Sequence, residues 1–586
     1  MGKGDDDLDQ QMSSTLTNIT IQLAQRQIPI PRDDVIKYLG SYLGEEKTES
    51  KHLLDSISES EYQKMSKLAQ TDKQLCMLIL RQCYSRSTAH IARLMPPSTT
   101  EDALEQMDST IANVLFDILE LNEIDHKVLD QSRLPINMGG LSLPSLYGSR
   151  CTAYFASIMK TIDNWCSFIN DDHPFLKHWL TPPWKENGQL RSKATQSSIN
   201  LDKSLKRVRA YIDMTADSQA ANLTVSTSVV NAGDLKHIKK SPFASRLPTS
   251  MAGLTQFKDI KKLQHRITQF AQTVDFQKFE ATYIRNQAQK AHFLSKTGPH
   301  ATAFLQTVQS ERAMTFHNRE FLVILYTYLQ IDVLPLFKAS PNTPCACGQL
   351  DSTKKAVLCT QGHLLNCGAK NDFTRRHDAI KEILMEMFRA ANLFPVAEKQ
   401  CDIGSGKFSR FDISVENILH EYKVLNMDLT IPNPLAKKIV AEAAKTPMAA
   451  AEHYVHLKNA KYSQYVTHDN FFSPAVIETF GAVHPFLANL IRRASIKVNH
   501  VPPERATWTA STFAQYYFQR ISCTLQKMNA QSITNVVTNS ANLAKSSHSN
   551  GKSPIFKTSA YMTEADVDQA CTARDQNQGP EPQFKC

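Results

Sequence analysis

The sequence lacks any apolar run long enough to cross a bilayer. Its first ten residues, MGKGDDDLDQ, also lack the basic start and apolar centre of a secretory signal. We therefore expect an intracellular protein with no signal peptide and no transmembrane segment. Cysteine is scarce, with 12 among 586 residues, and four of the twelve fall in one short window. In a reducing compartment this clustering favours metal ligation over disulfides.

Charge of either sign is not in large excess. The chain carries 66 Lys and Arg against 57 Asp and Glu, a formal net charge of +9, which suits nucleic acid or another polyanion but also many other partners. Hydrophobic residues make up 42%, so sizeable cores can form. A chain of this length predicts two or three domains.

Hydrophobic spacing divides the chain into segments. Helical spacing predicts a helical region over 33–164 and a helical connector over 253–340, after a flexible N-terminus at 1–32. Residues 165–252 are rich in Lys, Ser, Thr, Asn and Asp, which predicts a linker. Residues 531–586 have few large apolar groups, and we expect this tail to be disordered.

A cluster of cysteine and histidine follows the connector, at 341–372. Thiolate and imidazole ligands at such short spacing suit tetrahedral zinc in a structural site closed by protein ligands. Cys359 is a fifth donor that could replace one ligand, because the single residue between the first two cysteines is a tight spacing. The alternative is a set of buried free thiols beside an unrelated histidine. The preferred ligands are Cys345, Cys347, His363 and Cys367.

Two acids lie inside apolar strand patterns after this cluster. Asp412 falls in a strand-like run over 407–415, and Asp428 falls in another that Pro432 ends. A carboxylate inside a strand is costly unless it is paired or binds a cation, and two on adjacent strands can hold a divalent ion. The segment 373–530 therefore predicts a Mg²⁺ site. Taken singly, Asp412 is better explained as a salt-bridge partner and Asp428 as a turn residue, and a metal site is favoured for the two together, behind a zinc cluster.

A helical pattern over 449–462 brings Lys458 and Lys461 within one turn. With two acids, a lysine completes a hydrolytic set: the acids hold Mg²⁺, and the lysine stabilises charge on a phosphate or helps to deprotonate water. The choice between the two lysines stays open. Glu398, on a strand-like run before Asp412, is a further candidate for the metal shell, with an exposed charge as the alternative.

A rival assignment uses Glu421 and Lys423, which lie on one face of a strand after Asp412 at the usual nuclease spacing. The run from His420 to Lys423 is polar throughout, like an exposed strand start, whereas Asp428 is embedded among apolar residues. We therefore favour Asp428.

These motifs, in this order, resemble the non-LTR retrotransposons whose reverse transcriptase is followed by a cysteine-histidine knuckle and a restriction-enzyme-like PD-(D/E)xK endonuclease. The resemblance implies a nuclear protein that nicks target DNA to prime reverse transcription, with element RNA as a further candidate partner. It also implies that Arg376 and His377 position DNA or the acids. The matching series is Cys345-x-Cys347, His363-x-x-x-Cys367, Arg376-His377-Asp378, Asp412, Asp428 and Lys458-x-x-Lys461-Tyr462.

Two segments of the N-terminal half, 38–44 and 134–141, resemble the end of the polymerase palm and the thumb that follows. No Tyr/Phe-x-Asp-Asp polymerase motif precedes Tyr38, and too few residues precede it for fingers and palm, so we expect no polymerase activity. Phe411 also replaces the proline usual before the first nuclease acid.

The expected fold is multidomain α plus α/β: a helical thumb-like half, a zinc knuckle, a small α/β nuclease domain and a disordered tail. The expected function is a retroelement-derived, Mg²⁺-dependent DNA endonuclease without a palm, with no membrane or small-molecule partner. One alternative is a catalytically inactive remnant that binds nucleic acid. Another is a structural zinc protein that does not bind nucleic acid.

Overall fold

A computed structural model describes residues 35–220 and 246–550 of the chain. The described ranges have short gaps at 39–40, 45–49, 52, 56–58, 88, 167, 170–172, 186, 193, 258–260, 352, 368–371, 403–407, 420–422 and 468. The flexible segment predicted at 1–32, and the tail beyond residue 550, lie outside the described residues. No helix within those residues has both the length and the apolar character needed to cross a membrane.

The first part of the chain forms a hairpin and a group of helices. The hairpin pairs β1 with β2 antiparallel, over the segment that resembles the end of a polymerase palm, so the region predicted to be all-helical starts with two strands. The helices pack around α3, which Pro97 begins and the left-handed residue Glu120 ends. The elements are β1 (Val35–Tyr38), β2 (Ser41–Gly44), α1 (Glu59–Thr71), α2 (Lys73–Ile79), α3 (Pro97–Leu119), α4 (His126–Arg133) and α5 (Leu146–Cys166).

Two glycines shape the turn between α4 and α5. Gly139 has a φ of 78°, which a residue with a side chain rarely adopts. A Cβ on Gly140 would lie 2.1 Å from the carbonyl oxygen of Leu134, so only glycine fits there. The Gly140 carbonyl accepts a hydrogen bond of 2.9 Å from the Tyr328 hydroxyl. The turn thereby joins the N-terminal helices to a helix almost 200 residues later.

The linker predicted over 165–252 is wrong for much of its length. It contains α6 (Pro174–Leu180) and α7 (Gln196–Ala220), and α7 buries Leu201, Leu205 and Val208 against α5 and the following helix. These apolar residues recur every three to four positions, which is the spacing of one helix face. The polar residues between them lower the average hydrophobicity of the segment and hide that face.

The described part of the connector contains three α-helices. α10 is buried on every side within the described residues, which explains its uninterrupted apolar run. Its N-terminus carries a capping box in which the His317 and Glu320 side chains satisfy free backbone amides. The helices are α8 (Leu263–Tyr283), α9 (Gln287–Ser295) and α10 (Asn318–Leu329).

A mixed four-stranded sheet follows the cysteine cluster, in the order β3-β4-β5-β6. The first two pairs are antiparallel, and β5 pairs with β6 in parallel through a connection that contains α12. The expected combination of α and α/β structure is confirmed. The elements are α11 (Asp372–Ala390), β3 (Pro395–Asp402), β4 (Phe408–Glu416), β5 (Val424–Thr430), α12 (Ala449–Tyr462), β6 (Asn470–Val476) and α13 (Pro485–Lys497).

The last element is a long helix, α14 (Phe513–Asn550), which packs on α10, α11 and α13. The prediction of disorder from residue 531 is therefore wrong for 531–550, where Ile533 and Val537 are buried. The same apolar core includes residues of α1, α3, α10, the cysteine cluster, the sheet and α14. A single core thus connects the N-terminal helices with the sheet.

Candidate metal centre and acidic site

The four predicted zinc ligands converge in space. Isolated β-bridges, Pro344 to Leu358 and Leu350 to Ala356, form a narrow loop that carries the first two cysteines. A helical turn over Gln361–Leu364 then presents the histidine. All four ligand atoms lie within 4.8 Å of one another, in the group Cys345, Cys347, His363 and Cys367.

The distances within this group fit a tetrahedral ion. The Sγ atoms of Cys345 and Cys367 are 3.6 Å apart, and Cys347 Sγ lies 3.4 Å from His363 Nε2. Zn–S bonds of about 2.3 Å at a tetrahedral angle separate two sulfurs by roughly 3.8 Å. Hydrogen bonds from Cys345 and then Cys367 hold the pKa of Cys347 well below its usual range. Three sulfurs and one imidazole, all largely withdrawn from solvent, are a donor set that suits zinc.

Cys359 lies beside this group but is not part of it. It forms a hydrogen bond with Cys345, which is the main reason why its pKa falls to about 7, and it also bonds to Ser540 of α14. The Ser540 hydroxyl accepts a further hydrogen bond of 2.9 Å from the Ala346 amide. The long C-terminal helix therefore holds the cluster from outside.

Asp412 and Asp428 lie side by side where the pairing of β4 with β5 ends. Ile413 pairs with Met427 in the antiparallel register, so the two aspartates are the next residues in line. At this point the Leu429 amide donates to the Asp412 carboxylate, at 2.6 Å, in place of a strand carbonyl. The predicted placement of two acids on adjacent strands is found, and a carboxylate interrupts the backbone ladder there.

A lysine and a histidine from two helices contact these acids. Lys458 Nζ of α12 is 2.7 Å from Asp428 Oδ2, and His377 Nε2 of α11 is 3.2 Å from Asp412 Oδ2. The His377 ring is held from its other side by Asp378, 3.2 Å from Nδ1. The two helices thus supply one basic group to each acid.

The two carboxyls have pKa values displaced in opposite directions. Burial raises the pKa of Asp412, and the neighbouring Asp428 adds to this, although His377 opposes it. Burial also acts to raise the pKa of Asp428, but Lys458, Asp412 and Lys461 together outweigh it and the pKa falls. Burial lowers the pKa of His377, yet the hydrogen bond to Asp412 raises it above its usual value. Opposite displacement of two adjacent acids is common at sites that bind metal or transfer protons.

The second predicted lysine acts more weakly on Asp428 than the first. Lys461 Nζ lies 4.9 Å from the centre of the Tyr462 ring, and its charge is a smaller influence on Asp428 than that of Lys458. Lys458 is the lysine in contact with Asp428.

Glu398 lies on β3 opposite Asp412 in the register, between the pairs Ala397–Ile413 and Lys399–Phe411. Its φ of 56° is unusual for a residue with a side chain in the middle of a strand. Its carboxylate is 2.5 Å from Lys381 Nζ and 3.3 Å from Arg410. Glu398 is therefore at the rim of the acidic site and bound to two basic groups.

Of the rival pair, Glu421 lies outside the described residues. Lys423 is highly exposed and lies 3.1 Å from Asp469, an acid that precedes β6. The Lys423 ammonium therefore pairs with an exposed acid and not with Asp412 or Asp428.

Arg376 occupies a position that its sequence context did not predict. It is buried, and its guanidinium donates at 2.9 Å to Asn529 of α14, whose amide donates to the Thr479 carbonyl. These bonds connect three elements in the interior, which favours a structural role over contact with DNA.

The residue before the first acid, Phe411, is fully buried. It packs against Tyr462, Tyr465 and Phe472, with ring centres 4.9, 4.7 and 5.7 Å away. The phenyl ring thus anchors β4 to the end of α12, the helix that carries Lys458. Lys381, which contacts Glu398, also belongs to the site, but its place in an ordinary helical pattern carries no signal of this.

No family model matches the chain, and no curated protein matches it significantly. Its function must therefore be inferred from the two sites themselves.

Proposed function

We propose that this chain is a retroelement-derived, Mg²⁺-dependent DNA endonuclease that nicks a target to prime reverse transcription. The proposal rests on one observation. Asp412 on β4 and Asp428 on β5 are adjacent, and Lys458 Nζ lies 2.7 Å from Asp428. Four strands with helices α11 and α12 beside them are in keeping with a restriction-enzyme-like fold. The order of motifs, from zinc knuckle to lysine, supports the retroelement origin.

The acids fit a divalent cation by their chemistry. Asp412 and Asp428 are largely buried carboxylates in close contact, an arrangement that is unfavourable without a positive charge nearby. They would hold Mg²⁺, which when bound polarises a phosphodiester and lowers the pKa of water. Lys458 would then contact a phosphate oxygen and stabilise its negative charge. His377, held by Asp378, orients the Asp412 carboxylate.

The cysteine cluster has a different role in this proposal. Its four ligand positions are all filled by protein, so a zinc ion there would be structural and would fix the loop over 344–367 against α14. That loop precedes α11, which carries His377, in the chain.

The first test is cleavage of supercoiled plasmid by zinc-loaded protein with Mg²⁺ and with EDTA. We expect Mg²⁺-dependent nicking, and a loss on the order of 100-fold or more in Asp428→Ala, because a bound metal supplies several kcal/mol to hydrolysis. Asp213→Ala is the matched control, since it removes an exposed aspartate of α7 that pairs with Arg209. Nicking that survives in Asp428→Ala would instead direct attention to Glu421 and Lys423.

One observation favours the binding-only alternative: both acids are already in contact with a basic side chain, Asp412 with His377 and Asp428 with Lys458. In an inactive remnant these pairs would be purely structural. A folded, zinc-loaded protein that binds plasmid in a salt-dependent manner but never nicks it would establish this alternative.

A further inference from the structure

The cysteine cluster contains one more buried sulfur than a tetrahedral ion needs. The four converging ligands are Cys345, Cys347, His363 and Cys367. Cys359 lies outside this group, although it is only 2% exposed and belongs to the same loop. The zinc and acidic sites therefore leave a buried, nucleophilic thiol without a role.

The backbone brings Cys359 to one of these ligands. The Cys345 amide donates to the Val357 carbonyl at 2.7 Å. Further along the same antiparallel ladder, the Cys359 amide donates to the Thr343 carbonyl at 3.0 Å. Residues two apart on a strand share a face, so this pairing puts Cys345 and Cys359 on the same face. A hydrogen bond joins their thiols. The two sulfurs are therefore already in contact, as formation of a disulfide requires.

A second sulfur is also close to Cys345. Cys367 Sγ lies 3.6 Å from Cys345 Sγ, so proximity alone allows either pair. Zinc would hold both of those sulfurs, whereas Cys359 stays outside the ligand set. A thiol that the metal does not hold keeps its lone pairs available to an oxidant, so Cys359 reacts first. This favours a disulfide of Cys345 with Cys359 over one of Cys345 with Cys367.

The cluster lies close to the protein surface. His363 is partly exposed among the four ligands, and Leu350, near the tip of the loop, is 61% exposed. A short loop with an exposed tip opens locally at a fraction of the free energy of global unfolding. Such an opening admits a molecule as small as hydrogen peroxide. The burial of Cys359 therefore slows its oxidation without preventing it.

We propose that Cys359 is a site of reversible oxidation, at which a hydroperoxide converts Cys345 and Cys359 into a disulfide and zinc is released. This role depends on the structural zinc proposed above and is independent of DNA cleavage. The oxidised chain exchanges a metal crosslink for a covalent one. A dithiol reductant, with zinc present, restores the reduced site.

The chemistry balances in two steps with hydrogen peroxide. The Cys359 thiol attacks the O–O bond, which gives a sulfenic acid and one water. The Cys345 thiolate then attacks the sulfenic sulfur, so that the S–S bond forms, the S–O bond breaks and hydroxide leaves. The two sulfurs together lose two electrons, which the peroxide gains. Loss of Cys345 leaves three of the four zinc ligands and weakens retention of the ion.

The pair lies where the loop meets α14. Ser540 bonds to Cys359, and its hydroxyl accepts from the amide of Ala346, the residue between the first two ligands. A disulfide removes the S–H of Cys359 and takes Cys345, next to Ala346, out of the ligand set. Oxidation therefore acts on both parts of this contact between the loop and the long helix.

The test treats zinc-loaded, full-length protein with a small excess of hydrogen peroxide. A colorimetric zinc indicator follows release of the ion, and tandem mass spectrometry locates the disulfide after the remaining thiols have been alkylated. Trypsin cuts after Lys354 and Lys355, which separates Cys359 from the first two cysteines of the cluster. Chymotrypsin cuts after Leu364 and Leu365, which separates it from the last. We expect zinc release to rise in step with a disulfide at Cys359, and dithiothreitol with zinc to reverse both.

Cys359→Ser keeps the four ligands and removes the proposed partner of Cys345. We expect it to release zinc about tenfold more slowly under peroxide, because the intramolecular attack is lost. Cys83→Ser is the matched control, since Cys83 is an exposed cysteine outside the cluster. It should release zinc as the unmodified chain does.

Equal rates of release in the unmodified chain and in Cys359→Ser would overturn the proposal. A disulfide between Cys345 and Cys367 in the unmodified chain would do so too, as would a folded, reduced chain that binds no zinc. Mapping the disulfide in the unmodified chain needs no variant, so it decides the matter even if Cys359→Ser misfolds. Neither measurement involves DNA, and a chain that behaves as expected in both but never nicks plasmid contradicts the nuclease proposal alone.

Discussion

At the scale of single residues, Glu478 is a buried carboxyl that takes no part in the two contacts that define the acidic site. It lies just after β6, where it accepts hydrogen bonds from the Ser295 hydroxyl of α9 and, at 3.1 Å, from the Ala451 amide of α12. Burial raises its pKa from 4.5 to about 7, against the effect of these bonds. Glu478 therefore links α9 to the first turn of the helix that carries Lys458.

Glu478 predicts a pH dependence of stability. Because its pKa is higher in the folded chain, it stabilises the fold fully below pH 4.5, and that contribution is lost as the pH rises through about 7. The full loss is about 3 kcal/mol at 1.4 kcal/mol per pH unit. We expect chemical denaturation at pH 5 and pH 8 to show a smaller decrease in unfolding free energy for Glu478→Gln than for the unmodified chain.

Glu442→Gln is the control for this measurement, since Glu442 is an exposed glutamate that pairs only with Lys445 among the described residues. Its pH dependence should match that of the unmodified chain. A Glu478→Gln variant with the same decrease between pH 5 and pH 8 would contradict the assignment.

At the scale of elements, the sequence predicts the acidic site better than its surroundings. The helix predicted over 449–462 is α12, Ala449–Tyr462, and the strand predicted to end before Pro432 is β5, Val424–Thr430. These elements have strong local signals: alternation or helical spacing of apolar residues, and a proline that stops the strand. A buried acid within such a strand is visible from the sequence alone.

The helices α7 and α14 have weaker signals. In α14, apolar residues are spread among Asn, Ser, Thr and Gln, which form helices poorly in isolation. What stabilises the helix is the burial of Ile533, Val536 and Val537 against distant parts of the chain. The average composition of this segment reflects its many polar residues and does not reveal the narrow apolar face of the helix.

Ending the chain at residue 530 tests the importance of α14. The deletion removes three fully buried aliphatic side chains and Ser540, and each such side chain contributes about 1.5–3 kcal/mol. We expect a marked decrease in melting temperature by calorimetry and weaker retention of zinc on dialysis. A chain ending at residue 550 is the control and should behave as the full chain. Equal melting temperatures for the 530 and 550 chains would show that this half of α14 is dispensable.

At the scale of the whole molecule, the predicted segments do not pack as separate units. Arg376 bonds to Asn529, and Tyr328 bonds to Gly140, in contacts between residues more than 150 positions apart. No local pattern encodes such pairings, and the motif that contains Arg376, which implies positioning of DNA or of the acids, does not indicate the bond to Asn529. Because the cysteine cluster belongs to the same apolar core, loss of its structure should lower the stability of the rest of that core as well.

Zinc content tests this connection. We expect one zinc per chain, lost in Cys367→Ser and retained in Cys359→Ser, because Cys359 is beside the ligand group but not in it. Chelation with phenanthroline should lower the melting temperature of the whole chain, since structural zinc contributes directly to folding. The measurements are atomic absorption and calorimetry. Loss of zinc in Cys359→Ser would show that the ligand set is wrong.

The position of α14 along the chain also determines when its contacts with the cysteine loop and α11 can form during synthesis. The ribosome produces about 5–20 residues per second, so residue 540 emerges roughly 8–30 seconds after the end of α11 has been made. Until then the cysteine loop lacks Ser540, and α11 lacks Asn529 beneath Arg376. The helix that contacts both the cysteine loop and α11 is therefore made after them. A nascent chain has its acids and cysteines before these contacts with α14 can form.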